Sequence, residues 1–357
     1  MSYELNEKIK NLVPYEPIAG EFSIRLDANE CTMGYSPEFM KTVDKIIHDL
    51  DFNRYPDPVC LKLRKSFADF YGIDFENVTV GNGSDELIFL IEAAFLEKGD
   101  RLLTVFPDFS MYEFYSSITE NPCVKFYKNE DLNIDVDALI DRINSENISA
   151  VIFSNPCNPT GQGIEKSAAE KLVESVKALV VLDEAYMDFW SPENSLIKDV
   201  NNYDNLIVFR TASKALSSAA LRLGFAVANK KISRALSAVK SPYNVNSISQ
   251  AIGTELYKNK DFLNNRIKTI VQNTETLYNE LVRISSSTEN FKVYSTKTNF
   301  VFVKTASSKQ LWEYLKTQSI AIRWMGEYIR ITAGTDSEIK TVIKAIEEYL
   351  EIKNENS

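Results

Sequence analysis

Two different rhythms of apolar residues divide this chain. Between about residues 78 and 230, short apolar runs alternate with stretches whose apolar positions recur at helical spacing. The runs are Val78-Thr79-Val80 and residues 101–106, 150–154, 178–183, 206–209 and 223–228. Runs of this length fit strands buried on both faces, and the helical stretches between them supply the crossovers that parallel strands require. Residues 84–96 and 165–177 are two such helical candidates. The first is nearly all apolar, which predicts burial rather than a surface position. This part of the chain therefore predicts an α/β unit on a mostly parallel sheet.

The last third reads differently. A long amphipathic stretch covers residues 261–283, with Ile267, Ile270, Val271, Leu277 and Leu281 near one face. An apolar strand at 299–303, a helix near 308–316 and strand-like runs at 320–323 and 328–332 follow. Thr335 and Glu338 have the spacing of a capping box, so a final helix opens there. Its apolar residues Ile339, Val342, Ile343, Ile346 and Leu350 keep helical period. The pattern predicts a smaller α+β domain over residues 243–357. It leaves residues 31–242 as the large domain and residues 1–30 as an N-terminal segment packing with the small one. A chain of 357 residues is long enough for two such units.

Composition narrows the partners. The formal charge of -10 argues against general affinity for nucleic acid or an anionic membrane, though not against a local cluster of arginines around a small anion. Cys31, Cys60, Cys123 and Cys157 form no CxxC pair, and the one histidine, His48, has no neighbour of metal-ligand type. A zinc site is not expected, and no metal is assigned. A single histidine also weakens a Ser-His-Asp reading. Free thiols, a charged N-terminus without a signal-peptide core and the lack of a spanning apolar run lead to the expectation of a cytoplasmic enzyme.

The candidate chemistry lies where apolar runs end. Phe209-Arg210-Thr211-Ala212-Ser213-Lys214 closes one run, with Arg222 eight residues after the lysine. A lysine beside small hydroxyl residues suits imine formation with a carbonyl, while Thr211, Ser213 and Arg222 hold a nearby phosphate. Pyridoxal phosphate (PLP) has both groups. Gly81-Asn82-Gly83-Ser84-Asp85-Glu86 joins a run to the apolar helix, where free N–H groups favour a phosphate. Pro107-Asp108-Phe109 offers an aromatic to a flat ring, and Asn155-Pro156-Cys157-Asn158-Pro159-Thr160-Gly161 leaves Asn158 projecting at a strand end. Asp183-Glu184-Ala185-Tyr186 ends another run. A buried aspartate needs a partner, and a pyridinium nitrogen is a good one; Tyr186 is placed to donate to the ring's phenolic oxygen. Taken singly, each segment also reads as ordinary structure: a surface lysine, a capped turn, a core phenylalanine, a Pro-rich turn or an N-cap. Their convergence on one cofactor favours the chemical reading.

With these segments in this order, the chain resembles the fold-type I PLP-dependent aminotransferases over essentially its whole length, and within them the histidinol-phosphate aminotransferase family. The resemblance extends to Leu12-Val13-Pro14-Tyr15-Glu16-Pro17, Arg54-Tyr55-Pro56-Asp57, Pro242-Tyr243-Asn244-Val245, Thr298-Asn299-Phe300-Val301 and Ile329-Arg330-Ile331-Thr332. It implies that Lys214 is the imine-forming lysine, with Asp183 on the pyridine nitrogen and Asn158 and Tyr186 on the phenolic oxygen. Gly83, Ser84, Asp85, Thr211, Ser213 and Arg222 would hold the phosphate, and Phe109 the ring face. Tyr55 would reach into a partner subunit's site, making the enzyme a homodimer, and Tyr15, Asn158, Arg323 and Arg330 would meet the substrate. The implied reaction is transamination of histidinol phosphate with 2-oxoglutarate, in histidine biosynthesis. A threonine-phosphate decarboxylase or aromatic amino-acid aminotransferase is the alternative on the same scaffold, with a non-catalytic PLP-binding protein further off. The chain departs from the family pattern where the early Asn-Glu-Asn-Pro segment reads Ala28-Asn29-Glu30-Cys31-Thr32-Met33-Gly34 and lacks its proline, where Ser217-Ser218-Ala219-Ala220-Leu221 lacks a glycine, and where the link between Arg323 and Arg330 is short.

Overall fold

The computed structural model describes residues 3–14 and 16–355. Eight strands appear in the first two thirds: β1 (Ile24–Leu26), β2 (Val78–Asn82), β3 (Leu102–Phe106), β4 (Cys123–Tyr127), β5 (Ala150–Ser154), β6 (Leu179–Asp183), β7 (Leu206–Thr211) and β8 (Leu223–Ala228). β9 (Phe291–Tyr294), β10 (Phe300–Thr305), β11 (Ile320–Met325) and β12 (Tyr328–Thr332) follow. They form a seven-stranded sheet in the order β2-β8-β7-β6-β5-β3-β4 and a five-stranded sheet in the order β1-β11-β12-β10-β9.

All the apolar runs read from the sequence of the large sheet are strands. The edge strand β4 escapes that reading because Lys125 and Tyr127 interrupt its apolar pattern. Strands β3 to β7 pair in parallel. The sheet is the middle of three layers. Val151, Phe153, Val180, Leu182 and Val208 point into one core, while Ala150, Ile152, Val181, Ile207 and Phe209 point into the other. This alternation of buried residues to both faces explains why the strands read as unbroken apolar runs. The helix Ser84–Phe95 lies on the second face and buries Leu87, Ile88, Ile91 and Glu92. It is not buried all round as its composition predicts, since Phe89 stays 38% exposed.

Pairing directions gather the strand ends that matter. β8 runs antiparallel to β7, and β2 antiparallel to β8. β2 therefore runs in the sense of the parallel strands, and its carboxyl end, leading into Gly83 and Ser84, lies at the same edge as theirs. Arg222 precedes the first residue of β8 and reaches that edge from the opposite direction. Open α/β sheets bind ligands at this edge.

In the smaller sheet, Val301, Val303, Ile320, Ile322, Ile329 and Ile331 pack on the helices Ser308–Thr317 and Asp336–Glu355. Alternation places Phe300, Arg323, Arg330 and Thr332 on the other face, and Phe300 belongs to the core of the large sheet. The parallel pairing of β1 with β11 stitches the N-terminal segment to this sheet. The helix Lys260–Ser285 crosses between the two cores, burying Leu263 and Ile270 in the large one and Leu277, Leu281 and Ile284 in the small one. The predicted capping box is made: the Thr335 hydroxyl accepts from the Glu338 N–H, and the Glu338 carboxylate accepts from the Thr335 N–H.

Candidate active site

β7 delivers Thr211, and the turn after it carries Ser213 and Lys214. The Thr211 hydroxyl accepts from the Ser213 N–H at 3.1 Å and lies 3.0 Å from the Ser213 hydroxyl, so the two oxygens stand side by side. Lys214 is half-buried and donates to the carbonyl of Ala28 at 3.0 Å. Burial, reinforced by the positive charge of Arg330, lowers its ammonium from the usual lysine range to about 8. A lysine so placed keeps a far larger neutral fraction near physiological pH than an ordinary one, and the neutral amine is the form that acts as nucleophile or proton carrier.

The phosphate cradle forms where β2 and β8 meet. Gly83 has φ +84°, and a Cβ there would lie 2.6 Å from the Arg222 guanidinium. A Cβ at Gly224 would stand 2.4 Å from the Gly83 carbonyl carbon. Two glycines thus let the turn press against β8 and open toward Arg222, and the first-turn N–H groups of the helix Ser84–Phe95 face the same edge. Arg222 ion-pairs with Asp85 at 3.1 Å. The Asp85 carboxylate is itself an anion and would repel a phosphate; the group it can offer such a ligand is its N–H.

Asp183, at the end of β6, is buried. Its carboxylate accepts from the Tyr112 hydroxyl at 2.8 Å and from the Ala185 N–H at 3.1 Å. Burial still raises its acid to about 6 despite these donors. A cationic partner would offset that cost. The donors, the aldehyde-seeking lysine and the buried carboxylate thus fit the phosphate, carbonyl and ring nitrogen of PLP. Phe109 is half-buried and meets Tyr112 edge-on, with ring centroids 5.6 Å apart.

Asn158 is held from two sides. Its N–H donates to the Ser154 hydroxyl at 2.9 Å, and Ser154 bonds in turn to Asp108. Its side-chain oxygen accepts from Arg330. Arg330 also donates to the carbonyl of Asp27 at 2.7 Å. Arg323 is its direct partner across the β11–β12 ladder. The register places the two guanidinium-bearing side chains on one face of the small sheet, next to Asn158 at the cofactor edge. The Tyr186 hydroxyl accepts from the Asn29 side chain at 2.8 Å, and burial raises the phenol to about 12.

The structure therefore brings together Lys214, Asp183, Tyr186, Asn158, Arg330, Thr211, Ser213, Arg222 and the turn from Gly83 to Asp85. Tyr55 lies outside this network: it is 81% exposed and stacks on Tyr243, with centroids 4.6 Å apart. Tyr15 lies outside the described residues. Sequence reasoning gave no individual role to Asp27, Ala28 and Asn29, whose backbone or side-chain groups meet Arg330, Lys214 and Tyr186, nor to Tyr112, Asp108 and Ser154. A buried Asp183 signals that some donor exists, but nothing in the spacing points to Tyr112.

Residues 23–346 match the sequence pattern of the aminotransferase class I and II family. The chain belongs to that family. It is 42% identical over 352 residues to the histidinol-phosphate aminotransferase of Clostridium novyi, covering 97% of each. Among solved structures, this aminotransferase resembles the histidinol-phosphate aminotransferase of Sinorhizobium meliloti in complex with pyridoxal-5'-phosphate, at a TM-score of 0.86 and 20% identity, covering 98% of this chain and 99% of that one. It also resembles the L-threonine-O-3-phosphate decarboxylase of Porphyromonas gingivalis, at a TM-score of 0.79 and 24% identity, covering 92% and 99%. The scaffold is thus shared by transamination and decarboxylation. Among the described residues no helix is long and apolar enough to cross a membrane, and no cluster of potential metal ligands occurs.

Proposed function

We infer that this PLP-dependent aminotransferase transfers the amino group of histidinol phosphate to 2-oxoglutarate. The observation that carries the reading is the Arg323–Arg330 pair, set across one ladder and tied through Asn158 to the end of β5. Histidinol phosphate bears a phosphate and no carboxylate, whereas glutamate bears an α-carboxylate at its reacting end. A planar guanidinium accepts either group as a bidentate partner. The near full-length relationship to a histidinol-phosphate aminotransferase supports the same substrate.

When bound, PLP supplies the electron sink that lets the substrate α-carbon lose a proton. The chain's residues divide the remaining work. Lys214 would hold the cofactor's aldehyde carbon and, as a free amine, would take up the proton that the substrate α-carbon loses. The Ala28 carbonyl orients its amine. Asp183, fixed by Tyr112, would hold a proton on the ring nitrogen, while Asn158 and Tyr186 would face the ring oxygen and Phe109 the ring. Gly83, Ser84, the Asp85 N–H, Thr211, Ser213 and Arg222 would anchor the phosphate, and Tyr15 and Arg323 would complete the substrate anion site.

A homodimer completes this reading. Phe52, Tyr55, Val59, Leu61 and Tyr243 are all exposed in the single chain, an apolar surface of the kind that marks an interface. Tyr55, 81% exposed on that surface, would serve the partner's cofactor. The deciding experiment is a donor screen with 2-oxoglutarate as acceptor. Histidinol phosphate should give the highest kcat/KM for glutamate formation, ahead of aromatic amino acids. Release of carbon dioxide from phosphothreonine without glutamate formation would move the assignment to the decarboxylase.

A further inference from the structure

Asn29 lies in none of the motifs that define the cofactor site, yet it is 1% exposed and bonded on every side. Its backbone has φ +55°, a left-handed conformation that asparagine tolerates better than most side chains. The N–H of Asn29 donates to the Thr332 hydroxyl at 3.1 Å, and that hydroxyl donates back to the Asn29 side-chain oxygen at 3.2 Å. The Asn29 carbonyl accepts from the Asn299 side chain at 3.1 Å. The side-chain oxygen of the amide thus faces Thr332. The other end, the NH2 group, donates to the Tyr186 oxygen at 2.8 Å.

The direction of that last bond matters. A phenol has one proton. If its oxygen accepts from Asn29, its own O–H is left to donate elsewhere, and the ring oxygen of the cofactor is the acceptor assigned to it above. Thr332 sits two residues beyond Arg330 on β12, so the same strand that offers the substrate anchor also sets the amide. The charged or titratable groups that act on Tyr186 are Arg330, Asp183 and Cys157, and the Lys214 amine lies 6.0 Å from its ring centroid. None of them replaces the donor that Asn29 supplies.

We propose that Asn29 is a positioning residue that, by donating to Tyr186, turns the tyrosine proton toward the cofactor's ring oxygen and links that contact to the substrate strand β12. The inference rests on the PLP reading of the site. Asn29→Asp is nearly isosteric but reverses the bond: a carboxylate accepts the Tyr186 proton and withdraws it from the cofactor. Asn29→Gly keeps the left-handed backbone and deletes the amide.

The test is a pH titration of the visible absorbance of the purified holoenzyme and both variants, alongside thermal melts and steady-state kinetics. In the wild type a tyrosine proton aimed at the ring oxygen would favour its deprotonated form and so set the midpoint of the absorbance change. Asn29→Asp should raise the midpoint by about one pH unit, and Asn29→Gly should raise it less. Both should lower kcat more than they change KM for histidinol phosphate. A structural role alone would lower the melting temperature and leave the midpoint in place. If the midpoint of either folded, cofactor-loaded variant coincides with the wild type, the proposal is overturned. If the wild type shows no visible band with added PLP, the cofactor assignment fails instead. Should Asn29→Asp not fold, Asn29→Gly decides alone.

Discussion

Arg330 is given two tasks, and two substitutions separate them. One task is geometric. Its guanidinium donates to Asn158 and to the Asp27 carbonyl, which fixes the fork and presents it to a bidentate anion. The other is electrostatic, since its charge is the second cause, after burial, of the lowered Lys214 ammonium. An amine titrating at about 8 is roughly a quarter neutral near pH 7.5, against about one part in a thousand for an ordinary lysine. Arg330→Lys keeps the charge and loses the fork. A hydrogen bond to a charged group contributes about 1.5–3 kcal/mol, so kcat/KM should fall roughly 10- to 100-fold for both histidinol phosphate and glutamate. The pH at which the apoprotein captures PLP should stay near the wild-type value. Arg330→Gln loses fork and charge together. Its substrate loss should be at least as large, and the pH of PLP capture should move upward, though only part of the way because burial remains. The assay is stopped-flow absorbance of apoprotein mixed with PLP from neutral to alkaline pH, beside steady-state kinetics with each substrate. Wild-type kinetics for Arg330→Lys with both substrates would refute the anchor assignment. A capture midpoint unchanged in Arg330→Gln would refute the electrostatic one.

Two further outcomes are expected. Both oxygens of the buried Glu92 carboxyl lack a hydrogen-bond partner among the described residues, and burial lifts its acid to about 8. The folded state therefore holds a proton that the unfolded state releases, so Glu92 costs stability increasingly as pH rises from the ordinary glutamate range to about 8. Relative to wild type, Glu92→Met should gain stability over that window, by up to on the order of 5 kcal/mol, measured by urea unfolding at a series of pH values; a gain independent of pH would sink the explanation. Mixing Lys214→Ala chains with Tyr55→Phe chains should restore activity above either parent, because one of the two heterodimer sites escapes both defects. No recovery despite verified chain exchange would exclude a shared site.

Fold and chemistry differ in how far they could be read from the chain. Lys214, Asp183 and Asn158 were legible because each follows an apolar run within a few residues, and buried parallel strands with polar carboxyl ends announce themselves locally. The groups that orient these residues are distant in sequence: Tyr112 lies 71 positions before Asp183, and Asn29 lies 157 before Tyr186. A buried carboxylate or phenol requires a partner, so the sequence implies that each of these exists. It does not say which tyrosine or asparagine fills the role, because a period of two or of 3.6 residues carries no information about contacts between layers. Asn29 was hardest to see, since its backbone belongs to the N-terminal segment, its anchors Thr332 and Asn299 to the small sheet, and its acceptor to the loop after β6. The pairing of β1 with β11 carries that segment to the small sheet, where Asp27 and Asn29 meet Arg330 and Thr332. The proposed substrate anchor and the proposed ring contact therefore share one strand and one chain of hydrogen bonds, Thr332 to Asn29 to Tyr186, so a shift of β12 at Thr332 must be felt at Tyr186.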